Sequence, residues 1–216
     1  MFVGHFGVGL AAKGLAPRAS LGTLFLAAQF LDLLWPTLLL IGVERAAIVP
    51  GVTAVTPLDF EHYPISHSLL AVVAWSAGLG GAYFAITGRW KEALVVAVLV
   101  TSHWLLDAVV HRPDLPLSPF GPERVGLGLW NSLPATLLVE VPIFIGGCWL
   151  YARVTRPRDA IGRWAFAGLA AFLVVTYAMN LAGDPPPSMT AVAWVGQAQW
   201  LLVLWAAWVD RHREAA

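Results

Sequence analysis

The chain has 216 residues, of which 58% are hydrophobic and only 12% charged, and its formal net charge is zero. Soluble domains carry about 25% charged residues because their surface faces water, so this composition excludes a water-soluble globule and offers no basic field for nucleic acid. A single cysteine, Cys148, excludes an internal disulfide and any zinc ribbon or dithiol redox site.

A helix needs about 20 apolar residues to cross the hydrocarbon core of a bilayer. The first apolar stretch, residues 2–16, is shorter than that and rich in glycine. It lacks the basic start of a cleaved signal and reads as a retained helix packed on the first full span, with a hairpin closing near residues 16–20; the alternatives are an interfacial helix or a signal peptide. Runs of spanning or near-spanning length follow at 21–42, 66–87, 93–110, 127–151, 164–181 and 190–209, the last with Trp194, Trp200, Trp205 and Trp208. Pro50-Gly51, Gly88-Arg89, residues 113–122, Arg156-Pro157 and residues 184–187 punctuate them. The expected architecture is all-α: a polytopic transmembrane helical bundle of about six spans plus a short N-terminal helix. It forms one integral membrane domain, with a metal-site half (1–115) and an apolar helical half (127–210).

Orientation follows from the basic residues. If the loop holding Arg153, Arg156, Arg158 and Arg163 is cytoplasmic, alternation of spans puts Lys13, Arg18, Arg89, Lys91, Arg211 and Arg213 on the same side, ten of the thirteen bases. That is the positive-inside bias of a plasma (inner) membrane protein with a cytoplasmic C-terminus. The outer loops hold Glu44, Asp59, Glu61, Asp114, Glu123 and Asp184 against Arg45, Arg112 and Arg124.

The ionisable residues inside the apolar runs point to chemistry. His103 and Asp107 lie four residues apart, on one face of a helix. A carboxylate in hydrocarbon costs several kcal/mol unless it is paired, protonated or bound to a cation. An imidazole and a carboxylate converging there suit a divalent metal, zinc being the usual choice for mixed nitrogen and oxygen ligands. His111 continues the stripe until Pro113 ends the helix. The plain alternative is a polar pair that locks two helices together.

Asp32 lies twelve residues from Ser20, and His103 twelve from Lys91, so both sit ~18 Å from the inner boundary at ~1.5 Å rise per residue. His5 can reach the same layer if the N-terminal hairpin forms. Ser66 reads as the N-cap of the second span, with His67 and Ser68 in a first turn whose free N–H groups favour an oxyanion. Glu140 can be a ligand, a general base or a bundle hydrogen bond, and His212 belongs to the charged tail. No Walker loop, G-x-S-x-G elbow or H-E-x-x-H helix occurs.

His5, Asp32, the His62-x4-His67-Ser68 element and the Ser102-His103-x3-Asp107 helix together resemble the YdjM-like inner-membrane metal-dependent hydrolases, over roughly residues 1–115. That family has an N-terminal histidine, a Pro-Asp-x-Asp stretch, a His-Arg-Gly-x-Thr-His-Ser motif and a His-x3-Asp helix. The resemblance implies His5, Asp32, His67, His103 and Asp107 as metal ligands, with His62 nearby. Tyr63-Pro64 stands for Arg-Gly and Ser66 for threonine. Phe30 stands where the first acid of the Pro-Asp-x-Asp stretch would be, which weakens the case for two metals and leaves that for one. The ligand order is also similar to that of zinc-dependent phospholipase C enzymes. The expected function is hydrolysis of a membrane lipid or lipid-like ester, a phosphoester first, near the outer face. The metal would acidify a water and polarise the scissile bond, and Ser68 or Glu61 would contact substrate. A metal or proton transporter and a non-catalytic membrane scaffold are the competing readings.

Overall fold

The computed structural model describes residues 1–216. Short polar residues open half of the helices and set their boundaries. Ser68 Oγ accepts from Ala71 N to start α5 (Leu69–Thr87), which stops at Gly88 in the left-handed conformation (φ 69°). The chain turns straight into α6 (Trp90–Val110). Ser132 starts α7 (Leu133–Val154), and Asp159 starts α8 (Ala160–Ala182) by accepting from Gly162 N. Ser188 starts α9 (Met189–Gln197), which continues past Ala198 as α10 (Gln199–Arg211). Five helices are long and apolar enough to cross a membrane, counting α9 and α10 as one. Large apolar side chains stay exposed on their outer faces, among them Val73, Phe84, Val98, Leu105, Leu138 and Ile145. A helix with apolar residues all round is at home in lipid.

The expected span 21–42 is a bent pair, α2 (Leu21–Ala28) and α3 (Phe30–Leu40), with 57° between them; counted as one, it brings the possible spans to six. The bend falls at Gln29, where the backbone leaves the helical region (φ −106°, ψ 6°). There the carbonyl of Ala28 turns from the helix ladder to accept from His103 Nδ1 at 2.7 Å. A side chain that takes over a ladder carbonyl is a standard cause of a kink.

Two other boundaries differ from expectation. The second span begins at Ser68, not Ser66, because Pro64–His67 forms a separate turn of helix, α4, and Ser66 is engaged elsewhere. The fourth begins only at Leu133, since residues 127–132 form a loop with one 3-10 turn that hydrogen-bonds back to the end of α6 through Leu127 N to Ala108 O (2.9 Å) and Gly128 N to His111 O (2.6 Å). Three two-stranded antiparallel sheets close the ends: β1 (Arg45–Ile48) with β2 (Leu58–His62), β3 (Leu115–Pro116) with β4 (Arg124–Val125), and β5 (Thr155–Pro157) with β6 (Arg213–Ala215).

The N-terminal stretch is a helix, α1 (Val3–Ala11), buried along most of its length. It rests on α2 at Gly9, against Phe25 and Ala28, and on α7 at Gly7, where an added Cβ would meet the Ile143 and Phe144 backbone. Gly147 of α7 in turn has the Gly7 backbone where its own Cβ would stand. Missing side chains on both helices allow this backbone approach. Glu140 Oε2 accepts from Phe2 N (2.8 Å) and Gly4 N (3.3 Å), while Lys13 Nζ, just past the other end, reaches Asp210 Oδ2 at 2.8 Å. Fixed at both ends, α1 holds His5 in the centre of the bundle.

Candidate metal centre

Four elements deliver one polar cluster into the buried interior. α1 brings His5, α3 brings Asp32, α4 brings His67, and α6 brings His103 and Asp107 one turn apart. The α2–α3 bend and the short α4 turn are what carry Asp32 and His67 to the level of His103.

Four donor atoms form a closed ring. His67 Nε2 lies 3.5 Å from Asp32 Oδ1, Asp32 Oδ1 lies 3.7 Å from His103 Nε2, His103 Nε2 lies 3.1 Å from Asp107 Oδ2, and Asp107 Oδ2 lies 3.7 Å from His67 Nε2. Ligands at ~2.0–2.1 Å from a tetrahedral zinc stand roughly 3.3 Å apart, and the four edges of the ring lie close to that spacing. His5, His103 and Asp107 form a second group of three within 4.8 Å of one another, as do Asp32, His67 and His103.

The hydrogen bonds assign the imidazole protons. His103 Nδ1 donates to the Ala28 carbonyl, so in the neutral ring Nε2 carries the lone pair. That Nε2 is buried and has no hydrogen-bond partner, although it faces the carboxylates of Asp107 and Asp32. A neutral imidazole's lone pair turned toward two carboxylates is a set of acceptors without a donor, and a proton or a metal ion is what such a set lacks. The residues present therefore fit a metal ion. Charge balance agrees. The Asp107 carboxylate is held on its Oδ1 by the Met1 amino group at 2.6 Å, while Asp32 has only the two imidazoles beside it. Paired carboxylates in a low-dielectric interior are costly, and a divalent cation between them would offset that cost.

Around the ring, supporting contacts fix His67, His103 and Asp107, as metal sites require. His5 donates from Nε2 to Asp107 Oδ1 (3.1 Å), which turns Oδ2 toward the ring, and its imidazole stacks on His103 with centroids 3.6 Å apart. His67 Nδ1 is 2.7 Å from Ser66 Oγ, and Ser66 Oγ donates to Glu44 Oε2 at 2.6 Å. Glu44 Oε1 also accepts from Ile65 N and Ser66 N.

Not all of the sequence-derived candidates join this cluster. His62 and Glu61 lie on β2 and are exposed, because the antiparallel pairing of Arg45 with His62 holds that strand away from the bundle interior. Glu61 instead lines a cavity of about 380 Å³ at the end of α3, with Glu44, Arg45 and Met189 among its walls. Ser68 is buried, and its hydroxyl caps α5. His111 sits one turn beyond Asp107, packed among Phe60, Tyr63 and Trp130, with Nδ1 2.9 Å from Asp114 Oδ1. Burial holds its pKa below the usual histidine value, and burial likewise raises that of the Tyr63 phenol.

Sequence reasoning missed Glu44, counted only as an outer-loop acid, and missed the support that Ser66 gives to His67. An acid beside the helix end at Gly42 is the sole sequence signal for Glu44, and it is a weak one.

No protein-family model, no curated protein and no solved structure matches the chain. Fold and site alone define its class: an all-α bundle with membrane-compatible helices around a buried His/Asp cluster that could hold a metal ion.

Proposed function

We propose that the protein is an integral membrane, metal-dependent hydrolase of a lipid or lipid-like ester, with a phosphoester as the first candidate, related to the YdjM-like hydrolases that its motifs resemble. The observation that carries this reading is the buried His103 Nε2, without a hydrogen-bond partner, where two His/Asp triads with donor atoms within 4.8 Å of one another overlap. Two imidazoles and two carboxylates suit zinc better than a hard cation, which prefers oxygen alone. A metal there would supply Lewis acidity, polarising a phosphoryl or acyl oxygen and acidifying a water.

The residues divide the remaining work. His67, His103 and Asp107 are each buried and would hold the ion. The Asp32 side chain is 27% exposed, the most open of the four, so it stands on the side from which substrate and water arrive. From there its carboxylate completes the shell or accepts a proton from the attacking water. His5 orients Asp107 and does not touch substrate. The surrounding helices exclude bulk water, which strengthens every electrostatic contact inside. The positive-inside pattern turns the site toward the outer leaflet and the C-terminus toward the cytoplasm, so a headgroup would reach it by lateral diffusion.

The test is zinc-dependent release of headgroup or acyl product from a panel of phospholipids in mixed micelles, wild type beside His103→Ala. Turnover that the variant and a chelator both abolish supports the assignment. Metal or proton flux in sealed vesicles with no hydrolysis of any lipid would overturn it in favour of a carrier.

A further inference from the structure

Glu44 and Ser66 belong to no motif, yet they form a chain of hydrogen bonds ending on a ring atom of His67. We infer that Glu44 is a positioning residue: acting through Ser66, it fixes the tautomer of His67 and so keeps Nε2 free to bind a metal. The inference rests on the metal reading above, and its mechanism can be tested without metal.

The proton inventory runs one way. Glu44 is 1% exposed, and as a carboxylate it only accepts. Its Oε1 is taken by the N–H groups of Ile65 and Ser66, at 2.7 and 2.8 Å, and its Oε2 receives the Ser66 hydroxyl proton at 2.6 Å. With that proton committed, Ser66 Oγ can only accept from His67 Nδ1, 2.7 Å away. The neutral His67 ring therefore carries its proton on Nδ1, and its Nε2 presents a lone pair to Asp32 and Asp107 at 3.5 and 3.7 Å. Ser66 and His67 are both buried, so water is not at hand to reset the ring. The same contacts explain the local fold. The Glu44 carboxylate caps the N–H groups of the α4 turn, pinning to the end of α3 the segment that delivers His67.

Glu44→Gln inverts the chain while keeping its shape. The two backbone N–H groups still require an oxygen, so the introduced amide must turn its NH2 toward Ser66 Oγ. Ser66 then accepts from that NH2 and donates its own proton to His67 Nδ1. The His67 proton moves to Nε2, where it blocks the metal.

The experiment uses the full chain in detergent, with imidazole nitrogens labelled and His67 assigned by its loss in His67→Ala. NMR of metal-free wild type should show His67 protonated on Nδ1, and Glu44→Gln should show it protonated on Nε2. Zinc affinity, read by competition with a chelator, should fall about 10- to 100-fold in Glu44→Gln, the range for loss of an outer-shell partner. Ser66→Thr, which keeps the hydroxyl, should match wild type.

The decisive variant is the double substitution Glu44→Gln with Ser66→Ala. Without the serine hydroxyl to relay it, the amide at position 44 cannot impose the wrong tautomer, so the double variant should bind zinc more tightly than Glu44→Gln alone. Wild-type His67 protonated on Nε2, or a double variant weaker than the single, overturns the inference, and the wild-type readout holds even if a variant fails to fold. Wild type that binds no zinc while His67 shows the expected tautomer sinks the metal reading and leaves the positioning chain intact.

Discussion

Replacing Asp107 by asparagine keeps the shape of the side chain and removes one charge at the most connected point of the cluster. Asp107 is 2% exposed, and its two oxygens serve different partners. Oδ1 holds the Met1 amino group and His5, while Oδ2 faces His103 and His67. In Asp107→Asn the remaining oxygen stays with the two donors, because an amide NH2 cannot accept from them. The NH2 then points at the His103 lone pair, 3.1 Å from the former Oδ2, and satisfies it. The set of bare acceptors becomes a neutral hydrogen bond, and the reason to bind a cation disappears. Breaking a buried charge pair costs about 3–5 kcal/mol, so zinc affinity should drop roughly 100- to 3,000-fold at ~1.4 kcal/mol per decade. Competition titration against a fluorescent chelator measures this, with thermal melting of the apo-protein as the folding control. An Asp107→Asn protein that melts like wild type and binds zinc within threefold of it would refute the reasoning.

Other consequences can be checked separately. Gly147→Ala should lower the melting temperature, since the new methyl meets the Gly7 backbone and overpacking costs about 1–3 kcal/mol; Gly146→Ala, facing open space on the same helix, should not. His62→Ala should leave zinc affinity unchanged, because β2 carries that ring away from the cluster; a tenfold loss would place it in the site after all. Burial lowers the His111 pKa below its unfolded value near 6.5, so its contribution to stability is complete above that pH and declines as pH falls toward the folded value. Melting in the presence of chelator should therefore drop more steeply below pH ~6.5 for wild type than for His111→Gln, and parallel profiles would count against it.

The sequence announced the helices far better than it announced what bends them. Apolar runs of spanning length bounded by glycine, proline and charge gave α5, α6 and α8 to within a few residues, because the hydrocarbon solvent leaves the backbone little choice. The depth estimate for Asp32 and His103 agrees with a separation of 3.7 Å. The α2–α3 bend was not legible, since its cause is a carbonyl lent to a histidine 75 positions away. Ser66 and Ser68 are equally good caps by composition, and only the tertiary partner Glu44 decides which of them starts α5. The role of Glu140 stayed open for a similar reason, because the N–H groups it accepts belong to residues 2 and 4.

X-ray absorption at the zinc edge, on protein purified without chelator, probes the central claim most directly. The spectrum should show about one ion per chain, held by nitrogen and oxygen at ~2.0–2.1 Å with an imidazole signature and no sulfur, since Cys148 lies outside the cluster. Protein that is correctly folded yet carries no metal, and takes up none when zinc is supplied, would contradict it.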